Sequence, residues 1–319
     1  MTARRGSSPF VQTHIIGGNG GSWFNFHAEN GAMLEKIGVW VGGWQVKGVK
    51  VWLTNGAVQQ YGTPRGPYSQ FSFQPGELIT SMSLWGNGAG TRLGAIKFKT
   101  NKSREFFASM NEWGLKQEYP IDVGSGICVG VMGKAGEDID CMGFVFVKPI
   151  RHSVMTDMEY PTIGLEDLQV QMSNIKSTTY KNDLNSEQSF TLEASSEITT
   201  KESWSVTTAI ESAYHVTVKA GIPEITEVEA GWKLKVSGQR TYEMENTEKK
   251  TEKWTFPFTV PANSKLQAKL SMGRADIDLP YNATVEITTT DGSVLTYDVR
   301  GIYNGIEYTK AIFSASLVE

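Results

Sequence analysis

Two cysteines, four histidines and the absence of any long apolar run each remove a class of function from this 319-residue chain. Cys128 and Cys141 are too few for a disulfide framework. With a hairpin between them, Cys128 falls several residues below Cys141, out of reach of a bridge, and free thiols are expected. His14, His27, His152 and His215 are scattered, no Ser-His-Asp or Cys-His order emerges, and neither CxxC nor HExxH occurs. No catalytic residue, metal site or cofactor is therefore expected. The N-terminus MTARRGSSPF lacks an apolar signal region and no segment approaches the ~18 apolar residues of a membrane-spanning helix. The expectation is a chain made soluble without a classical export signal, cytosolic or non-classically secreted, and membrane-associated only when active. A net charge of -4 without a Lys/Arg cluster argues against nucleic acid as a partner.

Helical periodicity is missing too, so the fold class expected is all-β. Of the 33 glycines, 25 lie in the first 150 residues, while the remainder is rich in Ser and Thr. This shift divides the chain into domains 1–150 and 151–319, joined through PIRHSVMTDMEYPTIG with its two prolines. The first domain reads as short strands at 35–41, 46–54, 78–85, 93–100, 126–132 and 141–147. The second alternates with period 2 over longer runs, at 189–200, 204–218, 265–272 and 283–290, which suits an elongated all-β domain.

Two glycine loops carry the first candidate site. GGNGGSWFNF at 17–26 lacks GxGxxG spacing and a following helix, which argues against a phosphate cradle. GKAGEDID at 133–140 lies between the strands ICVGVMG and CMGFVFV; on composition alone it is also an ordinary solvated hairpin turn, and it lacks EF-hand spacing for Ca2+. The two loops together, with GAMLEKIGVWVGGWQVKGVKVWLTNG and LGAIKFKTNKSREF, resemble the jacalin-related lectins over about residues 10–148. That resemblance implies a β-prism. It also implies that Gly20 and Gly21, Gly136, and the main chain of Glu137 and Asp138 hold a sugar's hydroxyls while the Asp140 carboxylate accepts from two adjacent ones. Lys134 and Arg92, on neighbouring loops, would contact an extended glycan. High-mannose-type glycans or glycoproteins are the implied partners, although Asp138 stands where an apolar or aromatic residue is common. A hexose with vicinal hydroxyls suits one carboxylate and several amides, and glycine allows the close approach.

The second candidate is AYHVTVKAGIPEITEVEAGWKLKV at 213–236, within a hairpin placed at about 204–238 with its turn at Gly221-Ile222-Pro223. Trp204, Val206, Ile210, Tyr214, Val216, Val218 and Ile222 before the turn, and Val228, Trp232, Leu234 and Val236 after it, are uncharged residues at even positions. Transmembrane β-strands need about 9–11 residues of such alternation, yet a water-exposed hairpin packed on its own domain alternates identically. The neighbouring blocks VPANSK (260–265) and ADIDLPY (275–281) resemble the aerolysin family, and the whole chain resembles natterin-like fusions of the two modules. The resemblance implies glycan-directed attachment, assembly into a homo-oligomeric ring and release of the hairpin into a shared barrel. Closing the barrel requires several chains because an isolated hairpin has unpaired edges. Glu224, Glu227 and Glu229 are placed at the tip, where protonation would ease insertion and acidic pH would favour it.

Two alternatives belong to other classes. One is a lectin whose second domain is only an oligomerisation scaffold, without pore activity. The other is a glycoside hydrolase using Glu137, Asp138 and Asp140, but one short exposed loop offers no way to shield a general acid.

Overall fold

The computed structural model describes residues 7–165, 168–206, 214–229 and 231–319, and among these it has strands and turns but no helix. They form two compact units. The first comprises the described parts of Met1–Thr156, Val206–Val216 and Thr284–Val299, and the second those of Asp157–Ser205, Thr217–Ala283 and Arg300–Glu319. The division at residue 150 thus meets a first unit that also draws in 284–299 from far downstream. Lys148 reaches Asp291 at 2.7 Å there and the Thr290 amide donates to the Pro149 carbonyl at 2.8 Å, which ties that distant turn to the end of the glycine-rich region.

Three four-stranded antiparallel sheets build the first unit. One orders Ile16–Gly17, Ile139–Phe146, Cys128–Ala135 and Ser22–His27. The second orders Val58–Gly62, Val46–Leu53, Leu34–Val41 and Tyr68–Ser72, and the third Glu118–Ile121, Ile79–Gly86, Leu93–Thr100 and Glu105–Ser109. Alternation along each strand sends Ile37, Val39, Val51, Leu84, Ile96, Val131 and Phe144 into one shared core. Each such burial is worth about 1.5–3 kcal/mol relative to exposure. Three sheets closing on one core make a β-prism. Ile139–Phe146 is buried at every residue, so its N-terminal end is a rigid mount. Cys128 and Cys141 are free and buried; in the ladder they pair with Phe146 and Lys134, well apart.

Long strands characterise the second unit. Gln188–Val206 and Glu245–Val260 pair without interruption from Gln188↔Val260 to Ser203↔Glu245, stacking Phe190 beside Phe258 and Leu192 beside Phe256. Gln171–Asn182 and Ile312–Val318 both pair with Ser264–Thr289. The VPANSK block is the turn between Glu245–Val260 and Ser264–Thr289. Asn263 adopts φ +49 there, a left-handed conformation that asparagine tolerates. The buried Asn182 amide donates to the carbonyls of Ser186, Val260 and Pro261 at 2.8–2.9 Å, which satisfies a turn that would otherwise lose its backbone partners.

The region read as one hairpin is differently built. Gln188–Val206 ends where the run 204–218 was expected to begin, and the next strand among the described residues is Thr217–Ala220, paired with Arg240–Tyr242. Ile210 lies outside the described residues. Chain reversal does not occur at Gly221-Ile222-Pro223: the Ile222 carbonyl accepts from the Ser237 amide at 2.8 Å, so the two segments still run side by side there. Pro223 is the first residue of a strand, a position that tolerates its missing N–H. The hairpin proper is Pro223–Val228 against Gly231–Val236, reversing at Glu229. Glu224 pairs with Lys235 at its base and is not at the tip, while Glu227 sits two residues before the reversal.

This register also corrects the face assignment. Ile225 pairs with Leu234, Glu227 with Trp232 and Thr226 with Lys233, so odd positions of the first arm share a face with even positions of the second. Val228 is therefore on the side of Lys233 and Lys235, and Glu227 on that of Trp232, Leu234 and Val236. Trp204, only 3% exposed, packs against Tyr242 and Tyr303 at 5.4 and 5.3 Å between ring centroids, and its Nε1 donates to Tyr160 Oη at 3.4 Å. Val218 and Ile222 are buried in the same unit, whereas Val216 is buried in the first unit, where the Tyr214 hydroxyl donates to the Ile150 carbonyl. Val206 ends its long strand half-buried.

Candidate functional site

Asp140 is the second residue of the wholly buried strand Ile139–Phe146 and is itself 3% exposed. Its carbonyl accepts from the Gly18 amide at 2.7 Å, fastening the first glycine loop to it. Its carboxylate lies beneath that loop: a Cβ on Gly20 would come within 2.5 Å of Oδ1, and one on Gly21 within 2.4 Å of Oδ2. Gly21 also has φ +73, so both conformation and space demand glycine. Gly136, Glu137, Gly20 and Gly21 remain exposed, so the carboxylate lies at the edge of solvent although it is buried.

A second carboxylate completes the geometry. Asp138 accepts from Lys47 Nζ at 2.9 Å and Gln45 Nε2 at 2.7 Å. Arg92 bridges the pair, placing Nη1 2.9 Å from Asp140 Oδ1 and Nε 3.5 Å from Asp138 Oδ2; the second is a charge contact rather than a hydrogen bond. Burial pushes the Asp138 carboxyl up, but hydrogen bonds from Lys47 and Gln45 and the charges of Lys47 and Arg92 outweigh it and hold the group below the ordinary carboxylate range. Both Asp140 oxygens thus face the glycine loop, and one of them is also paired to a cation.

The structure brings Gly20, Gly21, Arg92, Lys134, Gly136, Glu137, Asp138 and Asp140 to one end of the prism. Several of them are engaged with one another or with neighbouring loops. Arg92 turns onto the two carboxylates. Lys134 Nζ donates to the Asn19 carbonyl at 3.3 Å, and the Gly136 amide donates to the Asp138 carbonyl at 3.1 Å, inside its own turn. The Glu137 carbonyl accepts from the Thr63 amide at 2.9 Å, anchoring the GxxxD turn to a third loop. Lys47, Gln45 and Asn87 were not singled out from sequence. The Asn87 side chain accepts from the amides of Ala89, Thr91 and Arg92 at 3.2–3.3 Å, shaping the loop that presents Arg92. No cluster of metal-ligating residues occurs among the described residues.

A second concentration of charge lies in the other unit. A cavity there is lined by Ile198, Thr200, Lys250, Trp254, Met272 and Glu307. Burial raises Glu307 to about 7; the Tyr308 backbone hydrogen bond and Lys250 oppose this, while Glu202 and Glu224 add to it. Burial and the nearby Glu248 raise Glu202 as well.

Residues 13–145 match the family model of the jacalin-like lectin domain. The crystal structure of Lamprey immune protein is 52% identical, covers 98% of this chain and is itself 99% covered, with a TM-score of 0.93. Natterin-2 of Thalassophryne nattereri is 28% identical over 166 residues, half of this chain and 43% of its own length. Natterin-1 of the same species is 25% identical over 225 residues, 69% of this chain and 61% of its own. The matches thus span about half the length of these natterins.

Proposed function

The chain belongs to the natterin-like family, fusions of a jacalin-like lectin domain with an aerolysin-like toxin module, and on that premise we propose that it is a glycan-directed, β-barrel pore-forming protein. The observation that carries the glycan reading is Asp140, a carboxylate held on a fully buried strand directly under two glycines at an open end of the prism. Such a carboxylate is suited to accept hydrogen bonds from adjacent ring hydroxyls, and the glycines let the loop close onto it. Mannose-type glycans are the proposed targets.

Attachment concentrates chains on a membrane, where a homo-oligomeric ring releases the hairpin. The six-residue arms of the resting hairpin are shorter than the about 9–11 residues needed to span a bilayer, so release must extend it. The lower ladder indicates how. Val218↔Tyr242 and Ala220↔Arg240 pair even with even, whereas Pro223↔Val236 and Ile225↔Leu234 pair odd with even. Moving the tip by one residue puts the hairpin in one register, with Val218, Ile222, Val228, Trp232, Leu234 and Val236 on one face and Lys219, Glu227, Lys233 and Lys235 on the other; Glu224 and, at the base, Arg240 are the charges left on the apolar face. A charge on the lipid face costs about 2–4 kcal/mol at the midplane for Arg or Lys, so this sorting decides whether insertion is feasible. Protonation of Glu224, Glu227 and Glu229 lowers the remaining cost, and insertion is favoured by acid.

Calcein-loaded liposomes bearing high-mannose glycan test the reading. Wild type is expected to bind and release dye, more at about pH 5 than at neutral pH, and Asp140→Ala to do neither. Unchanged binding by Asp140→Ala refutes the site. Binding without release returns the second unit to the role of an oligomerisation scaffold.

A further inference from the structure

Trp44 and Trp113 lie side by side on the first unit, 6.1 Å apart between ring centroids and inclined by 42°. They are 52% and 48% exposed, and neither belongs to the prism core. Single exposed aromatics need no explanation, but two adjacent indoles, each about half exposed, leave an apolar patch facing solvent. Their positions are fixed by backbone. The Gly42 amide donates to the Gln45 carbonyl at 2.8 Å, closing the turn that presents Trp44. The amides of Glu112 and Trp113 both donate to the Gly43 carbonyl, at 2.9 and 3.1 Å, which laces the Trp113 loop to that turn. A Cβ on Gly43 would lie 2.5 Å from the Glu112 carboxyl carbon, so glycine permits the approach.

The same turn is bound to the sugar site. Gln45, next to Trp44, holds Asp138 through its side chain, and Lys47, two residues on, holds the other Asp138 oxygen. Trp44 is therefore continuous with the Asp138–Arg92–Asp140 network on a rigid support. A pyranose has two chemistries, a hydroxyl edge that suits carboxylates and amides and a C–H face that suits the negative face of an aromatic ring. The 136–140 turn carries only acidic side chains beside its glycine and isoleucine and offers no aromatic surface. We propose that Trp44 and Trp113 form a stacking platform for a second pyranose of the glycan whose first ring is held at Asp140. This rests on the glycan reading of the Asp140 site, and it makes the protein a reader of oligosaccharides rather than single sugars.

Calorimetric titration with methyl α-mannoside and with a branched trimannoside tests it on the full chain. Trp44→Ala is expected to lower trimannoside affinity about tenfold and leave the monosaccharide affinity as in wild type; Trp113→Ala should act in the same direction, and Trp44→Phe should restore most of the loss. Trimannoside affinity equal to wild type in Trp44→Ala, or equal loss for both sugars, overturns the platform. Asp140→Ala separates the two readings: monosaccharide binding retained there overturns the Asp140 site, and a wild type that binds neither sugar overturns both. Binding to glycan-free phosphatidylcholine vesicles that Trp44→Ala abolishes would reassign the indoles to a lipid surface and overturn the sugar platform.

Discussion

Glu227 and Trp232 stand directly opposite each other in the resting hairpin, so a carboxylate and an indole share one side of the ribbon. In a bilayer that side faces either lipid or water, and one of the two residues is then misplaced. A one-residue slip of the tip, into the register already set by Val218↔Tyr242, separates them.

A lock on the resting register therefore stops the pore. Thr226 and Lys233 are paired and both exposed, which makes them suitable for cysteine substitution. Thr226→Cys with Lys233→Cys, once oxidised, is expected to reduce dye release to background while leaving glycan binding at the wild-type level, and reduction should restore release. If oxidised and reduced forms release dye equally, the resting register is already that of the pore.

Gly20 tests the mount of Asp140. A methyl group there would meet Oδ1, the oxygen that Arg92 holds at 2.9 Å, and a short side chain on a buried strand has little room to retreat. Gly20→Ala is expected to weaken glycan binding by at least about tenfold, because the displaced carboxylate loses both its cation and its alignment. Its melting temperature should fall little, since the glycine loop is exposed and outside the core. Binding at wild-type strength in titration would show that Asp140 does not define the site.

The glycine loop and GxxxD turn stood out through the resemblance to jacalin-related lectins, whose motif is local; on composition alone the second is also an ordinary hairpin turn. Lys47, Gln45 and Asn87 were not, because their role arises only when three sheets close and bring distant loops to one end. Alternation at 213–236 revealed a ribbon but could not fix its turn. Pro223 and Gly231 both suit a reversal, and only the pairing of Ile222 with Ser237 excludes the first. Periodicity within an arm likewise says nothing of register between arms, and a slip of one residue exchanges the faces.

Glu307 provides a pH dependence that opposes acid-favoured insertion. Burial lifts its folded-state value to about 7, above that of an unfolded glutamate, with Glu202 and Glu224 adding repulsion and Lys250 offsetting it. A group raised on folding holds its proton more tightly in the folded state. Its contribution to stability is full below the unfolded value and is lost as pH rises through about 7. Acid thus stabilises the resting second unit at this position, even as it eases passage of Glu224, Glu227 and Glu229 through the bilayer. The two effects separate in Glu307→Gln, which mimics the protonated group. Between pH 5 and pH 8 wild type should lose roughly 2–5 °C more in melting temperature than Glu307→Gln does. At neutral pH the variant should release dye more slowly than wild type, because its resting fold is the more stable. Equal melting shifts in the two proteins would remove Glu307 from the pH response and leave the hairpin carboxylates as its source.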